Sequence, residues 1–183
     1  MMSGKLGIYW KALKRFRLFD SSKSCLKTPS MNSPYRVLFV CMGNICRSPA
    51  AECVFRNFVE KSEIHRSIEC DSAGTIDFHT GNAPDSRMRS AGNKRGYTIK
   101  DAARQVQHED FEQFDLIITM DDKNFHNVQR MAPNSEYRAT VRKFCDYISN
   151  FPDTEVPDPY YGGAAGFEHV LDLLEDGCGT ILS

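Results

Sequence analysis

Residues 35–60 constrain the fold more than any other stretch of this 183-residue chain. Tyr35-Arg-Val-Leu-Phe-Val40 is a short apolar run rich in β-forming side chains and predicts a buried strand. The run empties into Cys41-Met-Gly-Asn-Ile-Cys-Arg47, a loop with Gly43 and Asn44. Ser48-Pro49 then opens a helix, Ser being a favoured N-cap and Pro a good first helical residue. Ala50, Ala51, Val54, Phe55, Phe58 and Val59 supply its apolar side.

The pattern recurs downstream. Strands are predicted at Ile68–Cys70, Phe114–Met120 and, more weakly, Val141–Phe144. Helices are predicted at Asp85–Lys94 (ended by Gly96), Asp122–Met131 (stopped by Pro133) and Gly166–Leu182. Asn150–Gly166, rich in Pro and Gly, reads as a long surface loop. Strands alternating with helices imply right-handed crossovers, hence an α/β fold: a four-stranded parallel sheet between two layers of helices. Ligands of such sheets lie beyond the carboxyl ends of the strands, and the first such end is Cys41.

Length and a 41% hydrophobic content fit one domain, with no internal repeat. The net charge of -1 argues against a nucleic-acid partner that needs a broad basic face. Charge is uneven, however. Residues 1–33 carry seven Lys/Arg and the single acid Asp20, leaving the remainder acidic. The expected organisation is therefore a basic extension, 1–33, ahead of a folded unit, 34–183. The extension has the composition of a plastid or mitochondrial transit peptide, the alternatives being a solvated tail or a start at Met31. No apolar run reaches the roughly 18–20 residues of a membrane span. Seven scattered cysteines without a secretion signal point to a reducing compartment, with the cytoplasm as the expected location. No Cys-x-x-Cys pair and no ligand-spaced His occurs, so neither metal nor cofactor is expected.

The chemistry is concentrated in the first loop. Cys41 and Arg47 stand six positions apart, and the loop's N–H groups join those of a helix N-terminus to form an anion cradle. The same field favours a thiolate on Cys41. Arg47 offers a planar fork for two phosphate oxygens. Thiolate attack would give a phosphocysteine, later hydrolysed, and Ser48 could donate its hydroxyl to the thiolate as it leaves.

Val40-Cys-Met-Gly-Asn-Ile-Cys-Arg-Ser-Pro-Ala-Ala-Glu52 resembles the signature of the low-molecular-weight protein tyrosine phosphatases. Asp71-Ser-Ala-Gly-Thr75, Ala103-Arg-Gln105, Phe114-Asp-Leu-Ile, Met120-Asp121 and Asp158-Pro-Tyr-Tyr-Gly162 resemble further family motifs in the same order, and the likeness is strongest to plant and cyanobacterial members. The resemblance implies a phosphotyrosine phosphatase I-like fold and phosphotyrosine-containing proteins or peptides as partners. It implies Cys41, Arg47 and Asp158 as nucleophile, phosphate binder and general acid. It also implies a cradle of Met42, Gly43, Asn44, Ile45, Cys46 and Ser48, with Asn44 and Ser72 bonded together to hold the loop; the oligomeric state is not set by the sequence, a monomer being the expectation. Phe78, His79, Tyr160 and Tyr161 would form the pocket, and Cys46 would be an oxidative partner of Cys41.

Three positions depart from that pattern. Asp101 stands where many animal members carry a His that supports the loop, which puts this support in question. Met42 replaces a usual Leu, a volume-conserving change. Ile45 replaces the Thr of phosphoarginine-preferring relatives and favours a flat aromatic ring. Two other functions compete. A thioredoxin-coupled arsenate reductase needs mid-chain cysteines, and none lies between Cys70 and Cys145. A non-catalytic or redox-sensing phosphate-binding module would not need Asp158.

Overall fold

A computed structural model describes residues 33–63, 67–132, 137 and 139–182. The basic extension, the alternative start at Met31 and the stop assigned to Pro133 lie outside the described residues. In chain order the elements are β1 (Tyr35–Cys41), α1 (Arg47–Lys61), β2 (Ile68–Gly74), α2 (Ser86–Lys94), α3 (Asp110–Gln113), β3 (Leu116–Thr119), α4 (Asp122–Met131), β4 (Thr140–Lys143) and α5 (Ala164–Leu182). Two 3-10 turns, Phe144–Tyr147 and Pro159–Tyr161, precede α5.

The four strands form one parallel sheet in the order β2-β1-β3-β4. Strand β1 is central, pairing from Tyr35↔Ile68 to Cys41↔Gly74 on one side and from Val37↔Leu116 to Val40↔Thr119 on the other. The chain leaves β1 first toward β2 and later reaches β3 on the opposite flank. Cys41 therefore ends at the switch point, where α/β sheets open a crevice.

Alternation along β1 divides the core in two. Val37, Phe39 and Cys41 face a cluster built from α1, α2 and α5, with Phe55, Met88, Phe167, Leu171 and Leu174 buried there. Leu38 and Val40 face the other side, against Val106, Phe111 of α3 and Val128 of α4. Phe39 meets the Phe55 ring edge-on at 5.4 Å, an arrangement worth about 0.5–1.5 kcal/mol beyond burial. Helices cover both faces, as the alternation of elements implied.

Several boundaries differ from the sequence reading. Helix α1 begins at Arg47 with Cys46 as its N-cap and no side-chain cap, so Ser48 is inside the first turn rather than capping it. Its hydroxyl is engaged with the loop instead. Strand β3 is shorter than Phe114–Met120, because Phe114 ends α3 and Met120 already belongs to the loop bearing Asp121. Phe144 opens a 3-10 turn rather than closing β4, and α5 starts two residues early. Helix α3 was not anticipated; four residues are too few for a readable periodicity. Among the described residues no helix is long and apolar enough to cross a membrane.

Candidate active site

The loop between β1 and α1 takes its shape from Asn44, whose backbone is left-handed at φ 55°. Asn tolerates that conformation better than most side chains because its short amide bonds locally. Its Oδ1 accepts the Arg104 N–H at 2.9 Å, which fixes the amide's orientation. Nδ2 is then free to donate to both Ser48 Oγ and Ser72 Oγ, each at 2.9 Å. The predicted Asn44–Ser72 bond is present.

These bonds fix the hydroxyl protons as well. Ser72 donates onward to Glu52 Oε2 at 2.7 Å. Ser48, already accepting from Asn44, has its proton left for Cys41 Sγ at 3.0 Å or the Ala73 carbonyl at 3.2 Å. The Asn44 N–H also points to Cys41 Sγ, at 3.3 Å. Cys41 is 3% exposed, with the Asn44 N–H and the Ser48 hydroxyl around its sulfur.

Gly74, at the end of β2, lets the loop lie close. A Cβ there would stand 2.8 Å from the Met42 carbonyl oxygen and 3.0 Å from the Gly43 carbonyl carbon. Gly43 in turn lies against the His79 ring, which a Cβ would meet at 2.8 Å.

Arg47, in the first turn of α1, is buried at 3% exposure and held by two carboxylates. Nη1 meets Asp121 Oδ2 at 2.5 Å and the Val156 carbonyl at 3.2 Å; Nη2 meets Asp158 Oδ2 at 2.8 Å. Burial works against its charge, but Cys41, Asp158 and Asp121 together hold the guanidinium above its usual range. Asp121 is itself fixed, since its Oδ1 caps α4 by accepting the Asn124 N–H at 2.6 Å. Asp158 caps the Pro159–Tyr161 turn, accepting the Tyr160 N–H at 3.1 Å.

A cavity of about 230 Å³ opens above the loop. Cys41, Met42, Gly43, Ile45, Cys46, Arg47, Phe78, His79, Asp158, Tyr160 and Tyr161 line it, and so does Ile76, which the sequence did not single out. Phe78 and Tyr161 are the most open of these, at 80% and 93% exposure. Asn44, Ser48 and Ser72 lie beneath, as supports. Every residue predicted for the site is thus either on the cavity wall or in the network under it.

Cys46 and Cys41 are both buried, free thiols. Burial, with Asp85 and Cys41 nearby, pushes the Cys46 thiol up, so it remains protonated. Sequence reasoning gave no role to Asp121, Glu52, Arg56, Arg87 or Arg104, although Asp121, Glu52 and Arg104 stand inside the motifs quoted for the resemblance. Asp121 carried a usable signal: an acid at a helix start, directly after a strand, lies at the sheet edge where ligands bind. Arg87 carried none. It is clamped by Asp85, donates to the Tyr160 carbonyl at 2.9 Å and stacks over the Tyr160 and Phe167 rings.

Residues 36–183 match the family model described as low molecular weight phosphotyrosine protein phosphatase. A Synechocystis protein named as a low molecular weight protein-tyrosine-phosphatase is 51% identical over 148 residues, covering 81% of this chain and 94% of that one. A Schizosaccharomyces pombe low molecular weight phosphotyrosine protein phosphatase is 46% identical, covering 80% and 94%. The crystal structure of a protein tyrosine phosphatase from Entamoeba histolytica superimposes with a TM-score of 0.77 at 44% identity, over 80% of this chain and 93% of that one.

Proposed function

The chain belongs to the low molecular weight phosphotyrosine protein phosphatase family, and we propose that it hydrolyses phosphotyrosine in proteins or peptides through a phosphocysteine on Cys41. Residues 34–183 are the catalytic unit in this reading. The observation that carries it is the meeting of Cys41, Arg47 and Asp158 on one small cavity whose floor is the loop and whose rim is aromatic.

In the first step Cys41 Sγ attacks phosphorus as the bond to the tyrosyl oxygen breaks. Asp158, protonated, delivers its proton to that oxygen, so a neutral phenol leaves. Arg47 and the loop N–H groups bind the phosphoryl oxygens as charge spreads over them. In the second step a water attacks phosphorus and gives its proton to the Asp158 carboxylate. The S–P bond breaks, and Ser48 donates its hydroxyl proton as a hydrogen bond to the departing thiolate. Phosphate is released.

Tyr160, Tyr161 and Phe78 flank the substrate ring, while His79 and Ile45 shape the wall. Ile45 offers no hydroxyl to a guanidine, which favours an aryl phosphate over phosphoarginine. Cys46, a protonated thiol beside the nucleophile, is the proposed partner for a disulfide when an oxidant converts the Cys41 thiolate to a sulfenic acid.

Steady-state assays on the purified chain test the reading. Turnover of p-nitrophenyl phosphate and of a phosphotyrosine peptide is expected at about pH 5–6, where a thiolate and a protonated acid coexist, and Cys41→Ser should abolish both. Vanadate binding without turnover would instead favour a phosphate-binding module.

A further inference from the structure

Beneath the loop the hydrogen bonds do not stop at Glu52. This carboxylate is buried, at 2% exposure, and lies on α1 four residues before Arg56. Oε2 accepts from Ser72, and Oε1 pairs with Arg56 Nη2. The other end of the same guanidinium, Nη1, donates to Asp101 Oδ2 at 3.1 Å. One planar fork therefore joins a buried carboxylate under the phosphate loop to a surface carboxylate on the segment between α2 and α3.

An exposed ion pair of this kind adds little stability by itself. Arg56 and Asp101 are 39% and 47% exposed, and such pairs typically contribute about 0–1 kcal/mol. Its geometric effect is larger. Asp101 fixes the plane of Arg56, and Arg56 fixes the rotamer of Glu52. Glu52 then holds the Ser72 proton, which keeps Ser72 Oγ as an acceptor for Asn44 Nδ2. Asn44 is the left-handed residue that aims its own N–H at Cys41 and shares Ser48 with it. Arg56 has no equivalent among the side chains: a Lys could not reach both carboxylates with fixed geometry.

We propose that Asp101 and Arg56 are positioning residues for the phosphatase reaction, acting through Glu52 and Ser72 to hold Asn44 and the Cys41 loop in their reactive shape. The inference rests on the nucleophile assignment given above. The acid at position 101, which departs from the animal pattern, is then the outer anchor of the loop's support rather than a gap in it.

The test is a set of kinetic cycles on the full chain with p-nitrophenyl phosphate. Asp101→Asn and Arg56→Lys should each lower kcat by about 2- to 30-fold, the range for residues coupled to a site through a network, with a smaller change in KM. Melting temperatures should stay near that of the wild type. In a Ser72→Ala background, Asp101→Asn should cost nothing further, since the path to Asn44 is already cut. Asp172→Asn, which weakens the separate Arg95 cluster on α5, is the control for general loosening and should leave kcat unchanged. Wild-type rates in Asp101→Asn, or losses that add fully to those of Ser72→Ala, would overturn the proposal while leaving the phosphatase reading intact. Losses matched by Asp172→Asn would also overturn it. A wild-type chain without turnover would sink the functional reading, and this inference with it.

Discussion

Arg47 Nη2 and Asp158 Oδ2 are 2.8 Å apart, so the proposed phosphate binder and the proposed general acid are paired with each other. A phosphoryl group bound by the Arg47 fork competes with Asp158 for that nitrogen. In the proposed reaction, binding substrate would therefore loosen this pair and bring the Asp158 carboxyl beside the phosphoryl group. Asp121 holds the other nitrogen, Nη1, and so gives the guanidinium a second anchor that does not depend on Asp158.

Asp158→Asn should retain a hydrogen bond to Arg47 but cannot supply a proton. Its kcat on a phosphotyrosine peptide should fall by about 10²–10⁴-fold, the usual worth of a general acid. The loss on p-nitrophenyl phosphate, whose leaving group needs little protonation, should be much smaller. Equal losses on both substrates in parallel assays would show that Asp158 does not protonate the leaving oxygen.

Asp121→Ala leaves the buried Arg47 charge with one carboxylate instead of two and removes the α4 cap. Breaking a buried ion pair by removing one partner costs about 3–5 kcal/mol, and a lost cap about 1 kcal/mol. Partial compensation by Asp158 keeps the expected loss at the lower end. Urea denaturation reads it directly. Inorganic phosphate, measured as a competitive inhibitor, should bind more weakly as the guanidinium tilts.

The strand–loop–helix at 35–60 was legible because three local signals coincide there: an apolar β run, a Gly/Asn loop and a Ser-Pro start. Cys41, Arg47 and the loop followed from position alone. Asp158, the pocket aromatics and the Asn44–Ser72 pair came from the motif resemblance, since nothing local distinguishes an Asp beside prolines from a turn. What stayed hidden depends on long-range geometry. Arg56 looks like an ordinary polar face residue until Asp101, 45 positions on, is brought against it. Arg87 likewise gains its contact with the acid-bearing turn only when α2 and that turn are packed together, 73 positions apart. The Ser48 cap failed for a related reason: the hydroxyl had better partners in Cys41 and Asn44 than a helix N–H.

Glu52 predicts a pH dependence of stability. Burial pushes its carboxyl up to about 7, against the Ser72 hydrogen bond and the Arg56 charge, which pull it down. The folded chain thus binds the Glu52 proton more tightly than the unfolded chain. Its contribution is fully present below the unfolded value, about 4.5, and is lost as pH rises through about 7. The shift corresponds to about 3 kcal/mol at most. Unfolding free energies at pH 5 and pH 8 should differ less in Glu52→Gln than in the wild type. An unchanged difference would mean that Glu52 titrates as an ordinary surface acid.

Two glycines separate stability from chemistry. A Cβ at Gly74 would press on the Met42 and Gly43 backbone, which has no rotamer to yield and can move only by reshaping the phosphate loop. A Cβ at Gly177, on α5, would overlap the Phe144 ring in the core and touch no backbone of the loop. Both substitutions overpack, at a typical cost of about 1–3 kcal/mol. Gly74→Ala should also lower kcat and weaken vanadate binding, because the N–H groups no longer converge. Gly177→Ala, assayed well below its lowered melting temperature, should turn over p-nitrophenyl phosphate at the wild-type rate. If Gly74→Ala instead loses only stability, the close approach of β2 is a packing feature and the loop's shape is set by Asn44 alone.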